Sequence, residues 1–135
     1  MRLVIVCSGG LSDRDALMKK EVADEWIKAL RSGDYNQTKE SLSDGDGFCC
    51  LGVLCDISGL GSWNDYGDST HYGTEGEVLP EFVMEWAGIR DPEGKWENFD
   101  NPKAITLTCL NDGHRVKQHS FKQIADVIEK HWKEL

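Results

Sequence analysis

The sequence predicts an α+β domain, predominantly α, of about five short helices with a small β-strand or hairpin element. Three observations lead there. Apolar residues recur at helical spacing near both ends of the chain, and an apolar decad, Phe48 to Ile57, comes directly after a turn-forming stretch. A β-branched run opens the chain, while a stretch rich in Gly, Asp and aromatic residues fills its middle. At 135 residues the chain has the size of one domain, so residues 1–135 are read as a single folding unit.

Leu3 to Val6 reads as a short β-strand ending in Ser8-Gly9-Gly10. Ser12, with Asp15 three positions on, approximates a capping box. Leu17, Val22, Trp26, Ile27 and Leu30 then share one face of a helix that stops near Ser32-Gly33. The polar residues 34–47 end in Asp44-Gly45-Asp46-Gly47, which favours a turn able to cap a helix after it. In the decad, Phe48, Leu51, Leu54, Cys55 and Ile57 suit a buried helix closed by Gly59. A buried strand stays open, because so short a run has no distinguishing period.

Residues 60–77 carry Trp63, Tyr66 and Tyr72 among turn formers, the pattern of a surface loop or irregular hairpin. Pro80 suits a first helical position, and Leu79, Phe82, Val83 and Trp86 trace a short amphipathic helix to Gly88. Residues 91–102 form a loop with Trp96 and Phe99. Leu107 and Leu110 suit a brief helix ending at Asn111-Asp112-Gly113. Ser120 and Gln123 form a capping box, after which Phe121, Ile124, Ala125, Ile128, Trp132 and Leu135 keep helical spacing. Lys117, Lys122, Lys130 and Lys133 stay outside.

The net charge of −9 repels phosphate backbones and anionic membranes, which argues against non-specific nucleic-acid binding and against a membrane partner. The decad is far shorter than the roughly 20 residues that span a bilayer, and Leu3 to Cys7 is too short for a signal-peptide core. The five cysteines, Cys7, Cys49, Cys50, Cys55 and Cys109, are odd in number and lie among apolar neighbours. That fits reduced thiols in a cytoplasmic protein better than a disulfide framework.

A resemblance adds to this reading. It is carried by Trp26-Ile27-Lys28-Ala29-Leu30-Arg31-Ser32-Gly33, by Tyr35 with Gln37, and above all by the segment from Asp44-Gly45-Asp46-Gly47 through Phe48-Cys49-Cys50-Leu51-Gly52-Val53-Leu54-Cys55-Asp56. It continues through Leu79-Pro80, Trp86-Ala87-Gly88, Leu110-Asn111-Asp112 and Ile124-Ala125-Asp126. Over residues 18–135 the chain resembles a family of small proteins encoded by bacteriophages and prophages. The resemblance implies no established activity. It implies a non-enzymatic accessory protein in the cytoplasm of a bacterial host, meeting a host protein or a small nucleotide immune signal. Residues 1–17 lie outside it, as an N-terminal extension that is either an upstream start or an added strand.

Four constellations could carry chemistry. Val6-Cys7-Ser8-Gly9-Gly10-Leu11-Ser12-Asp13 is similar to a phosphate-holding Ser-Gly-Gly loop, but the βα units such a site needs are missing after it. Cys49 or Cys50 at a helix start, with His114 or His119 and an orienting Asp112, has the elements of a thiol hydrolase or transferase; core packing competes with it. Cys49, Cys50, Cys55 and Cys109 lack the paired spacing of a zinc site. Asp44-Gly45-Asp46-Gly47 starts like a calcium loop but places Phe48 and Cys55 where oxygen ligands belong, so neither metal nor cofactor is expected. The fourth is a ligand- or partner-binding surface of Trp63, Tyr66, His71, Tyr72 and Trp96, with Arg115, Arg90 or Lys95 available to phosphate. This surface is the preferred site; the thiol reading is its rival.

Overall fold

A computed structural model describes residues 17–67, 69–97, 99 and 101–135. The proposed strand Leu3 to Val6, the Ser8-Gly9-Gly10 turn and the Ser12 cap lie outside the described residues. The described chain runs α1 (Lys20–Ser32), α2 (Cys50–Ser58), β1 (Trp63–Asp65), β2 (Thr70–Tyr72), α3 (Glu81–Ala87), α4 (Leu107–Asp112) and α5 (Phe121–His131), ending in a 3₁₀ turn, Trp132–Glu134. Five helices and one two-stranded antiparallel sheet make the fold α+β and predominantly α.

α1 and α5 are amphipathic and lie against each other. Val22, Ala23, Trp26, Ile27 and Leu30 of α1 share a core with Phe121, Ile124, Ala125 and Ile128 of α5. Each large aliphatic side chain buried there contributes about 1.5–3 kcal/mol. Outside the core, Arg31 joins the same helices through Asp126 at 2.7 Å and Glu129 at 3.1 Å, an exposed pairing worth about 0–1 kcal/mol. Ser120 and Gln123 make the expected reciprocal capping box of α5.

α2 is the central element, packed against α1, α3 and α4. Residues Cys50 to Cys55 are all buried, so this helix has little polar face and owes its stability to packing on every side. The Trp26 indole donates to the Cys50 carbonyl at 2.9 Å, fixing α1 to the first turn of α2. Gly52 allows the closest approach: a Cβ there would stand 1.9 Å from the Leu42 carbonyl oxygen.

Several expected core positions fall differently. Leu17 precedes α1 and is 59% exposed, because the Lys19 amide is tied to the Ala87 carbonyl at 2.9 Å and turns Met18 inward instead. Phe48 precedes α2 and is half-buried, held where its amide donates to Asn36 and its carbonyl accepts from Thr38. Phe82 lies on α3 but at 39% exposure, its ring over the hairpin rather than in the core. Pro80 takes the cap position and the helix starts one residue later.

Candidate functional site

The N-terminus of α2 is built from distant segments around one buried amide. Asn111, fully buried in α4, accepts from the Cys50 amide at 3.1 Å and from Gln37 Nε2 at 3.0 Å, and donates to the Thr38 carbonyl at 2.8 Å and to Asp112 at 2.9 Å. Gln37 also reaches the His119 carbonyl, and Asp112 accepts from the Glu40 amide at 3.0 Å. Asn111 thus satisfies one of the amides that a helix start leaves open, from 61 residues away.

Beside this network a cavity of about 240 Å³ is lined by Glu40, Cys49, Glu77, Glu93, Thr108 and Asp112 among others. It is an acidic surrounding for a thiol. Burial pushes Cys49 up to about 11, the nearby Asp112 charge adds to the rise, and the amides of Gly52 and Leu51 offset part of it. Burial also raises Cys50 and Cys55. Neither His114 nor His119 lines the cavity; His119 rests its Nδ1 2.8 Å from the Lys117 carbonyl. The candidate Cys49, Cys50, His114 and Asp112 are therefore not assembled as a nucleophile and base, since the thiols are protonated at neutral pH and Asp112 serves the backbone.

The Asp44-Gly45-Asp46-Gly47 turn is also spoken for. Asp44 accepts from the Asp46 amide at 2.9 Å, the Gly47 amide at 2.7 Å and the Thr38 hydroxyl at 2.9 Å, and these bonds lower its pKa. Among the described residues no group of three or more His, Cys, Asp or Glu side chains is arranged to hold a metal ion.

The aromatic candidates separate into two places. Trp63 and Tyr72 are cross-strand partners on the inner face of the hairpin, with ring centroids 4.8 Å apart, and Phe48 meets Trp63 at 5.4 Å. Tyr72 is 2% exposed and its hydroxyl accepts from the Gly61 amide, so it is a core residue and not a surface contact. Strand alternation puts Tyr66 and His71 on the opposite, outer face, their rings 4.7 Å apart. Tyr66 is 62% exposed, and Ser69 Oγ lies 3.1 Å from His71 Nε2.

Trp96, expected on the binding surface, is a core residue like Tyr72. It is 6% exposed and stacks on the buried His131 at 5.5 Å, far from a solvent-facing loop role; its Nε1 has no partner among the described residues. His131, the last residue of α5, is itself buried, and the 3₁₀ turn follows it directly. Phe99, in the same loop as Trp96, is 96% exposed. Arg115 is exposed beyond α4, while Arg90 donates to the Glu134 carbonyl and Lys95 pairs with Glu97 at 2.9 Å. Asp56 was not among the candidates, yet it braces the hairpin: it accepts from Tyr35 at 2.6 Å and from the Trp63 indole at 3.1 Å. A carboxylate interrupting an apolar run was its signal; Asn111 had none.

The molecule is thus a mostly helical α+β domain with a short hairpin, braced on a buried helix, that presents the exposed Tyr66. It belongs to the family described as a domain of unknown function, DUF8296, whose model matches residues 18–132. No curated protein and no solved structure matches the chain. Among the described residues no helix is long and apolar enough to cross a membrane.

Proposed function

We propose that this protein is a non-enzymatic phage accessory protein that works in the cytoplasm of the bacterial host by capturing a host or defence protein on its β1–β2 hairpin. The observation that carries the reading is the outer face of that hairpin, where Tyr66 is exposed yet held against His71. An aromatic already fixed by its neighbours loses little rotamer freedom on binding, so more of its contact energy appears as affinity.

Charge favours a protein over a nucleotide as the partner. Residues 40–89 contain ten Asp and Glu and no Lys or Arg, whereas the rest of the chain holds 14 acidic and 15 basic residues. The hairpin therefore lies in the acidic stretch of the chain, whose charge attracts basic surfaces and repels phosphate. The phage setting rests on the resemblance of the Asp44 to Asp56 segment.

Native mass spectrometry of the protein recovered from infected cells tests this. The expected result is a complex with a protein partner that is lost from a Tyr66→Ala, His71→Ala variant with unchanged circular dichroism. A bound species with the mass of a nucleotide, or a protein partner held equally by the variant, would overturn it.

A further inference from the structure

The two edges of the hairpin are not alike. Trp63 stands opposite Tyr72, Asn64 opposite His71 and Asp65 opposite Thr70. The Tyr66 amide donates to the Ser69 carbonyl at 2.8 Å, and the Gly73 amide donates to the Ser62 carbonyl at 3.4 Å. Antiparallel pairs alternate between bonded and non-bonded, so residues 62, 64 and 66 face β2 with their backbone groups. The N–H and C=O of Trp63 and Asp65 consequently point the other way.

On β2 the corresponding outward groups are engaged: the Tyr72 amide donates to Glu75, and Thr70 bridges to Ser43. On β1, no described residue hydrogen-bonds to the main chain of Trp63 or Asp65. Among the described residues one edge of the sheet is covered and the other is open, in a strand whose Asn64 and Asp65 are exposed. Open strand edges are templates for an added strand.

We infer that the free edge of β1 pairs with an extended, Lys- or Arg-bearing segment of the partner, which adds as a third strand beside Trp63–Asp65. Charge selects the occupant. Side chains of an added strand alternate between faces; those on the Trp63 and Asp65 side meet the carboxylates of Asp65 and of Asp56, which holds the Trp63 indole. No Lys or Arg between residues 40 and 89 competes for them. Side chains on the other face meet Tyr66 and His71. The inference rests on the hairpin being the partner-binding element and adds how the partner is held.

The test uses the full chain and a nine-residue peptide alternating Lys with Val, monitored by amide NMR shifts and hydrogen exchange. Expected are shifts and slowed exchange at the amides of Trp63 and Asp65. Binding should weaken about tenfold or more for a peptide N-methylated at alternate residues, which forfeits two or more ladder bonds, and similarly for a Glu-for-Lys peptide. An Asp65→Pro variant, whose missing N–H is one that β2 does not use, should bind as weakly. Equal binding of the N-methylated or Glu peptide, or shifts centred away from β1, would overturn the inference whether or not Asp65→Pro folds. The two readings separate with the partner from infected cells: one that needs Tyr66 and His71 but ignores Asp65→Pro refutes edge pairing alone. A partner indifferent to both variants refutes both readings.

Discussion

Replacing Asn111 by Leu removes the amide that joins α4, the start of α2 and the 37–40 segment, at nearly constant side-chain volume. Gln37 keeps its bond to the His119 carbonyl and Asp112 keeps the Glu40 amide, so these groups lose little. The Cys50 amide and the Thr38 carbonyl lose the partner that Asn111 gave them. Each such polar group left unsatisfied costs about 1–3 kcal/mol, which gives about 2–6 kcal/mol for the buried Cys50 amide and the part-buried Thr38 carbonyl together. Against a typical total stability of about 5–15 kcal/mol this is a large fraction. At about 4 °C per kcal/mol for a domain of this size, the melting temperature should fall by about 8–24 °C.

Urea unfolding monitored by tryptophan fluorescence measures the effect directly, with an unchanged denaturant slope showing that the folded state is otherwise preserved. Asn111→Asp sharpens the result. It keeps the acceptor for Cys50 and Gln37 but turns an oxygen toward the Thr38 carbonyl and the Asp112 carboxylate, so it should destabilise at neutral pH at least as much as Leu. A loss below about 1 kcal/mol in both variants would refute the view that this amide holds the three segments together.

Gly52→Ala should cost about 3 kcal/mol or more in a thermal melt even though Ala favours helix by about 1 kcal/mol, because the new Cβ meets the Leu42 carbonyl; a neutral or stabilising result would show that α2 can withdraw. Native-state labelling of Cys49 by a thiol reagent at pH 7 should be slow and should accelerate with unfolding, whereas labelling within the mixing time would restore the thiol-catalysis reading. A thiol whose pKa is raised from 9.0 to about 11 on folding contributes its stability fully below pH 9 and loses it as pH rises toward 11, so the share of the unfolding free energy owed to Cys49, read as the difference from a Cys49→Ser variant, should decline across that window and stay level beneath it. Ser120→Ala removes the capping box of α5 and should lower stability by about 1 kcal/mol, with urea titration as the check and no change as the contrary result.

The helices were legible because their signals are local. Apolar spacing in α1 and α5, the Ser120 and Gln123 box, and the glycines after α1, α2, α3 and α4 act within a few residues, and the structure places helix ends at Gly33, Gly59, Gly88 and Gly113. The choice of helix for the apolar decad rested on less, since the run has no polar face, and burial on all sides explains why no period was visible. The candidate site was legible only in part. Trp63, Tyr66, His71 and Tyr72 do come together on one hairpin, but aromatic composition could not say which of them face water.

By itself the sequence determined an acidic, helix-dominated domain, the glycine ends of α1 to α4, the Ser120 cap of α5, and the membership of the cysteine segment in the core. Tertiary structure decided the rest: that Tyr72 and Trp96 are buried while Phe82 and Phe99 are not, that Asn111 completes a helix start 61 residues away, and that among the described residues one edge of the hairpin is covered and the other open. The physical reason is range. Propensity, capping and periodicity are settled by neighbours along the chain, whereas burial of a particular ring, a buried amide's partners and a strand's free edge depend on segments that meet only once the core has closed.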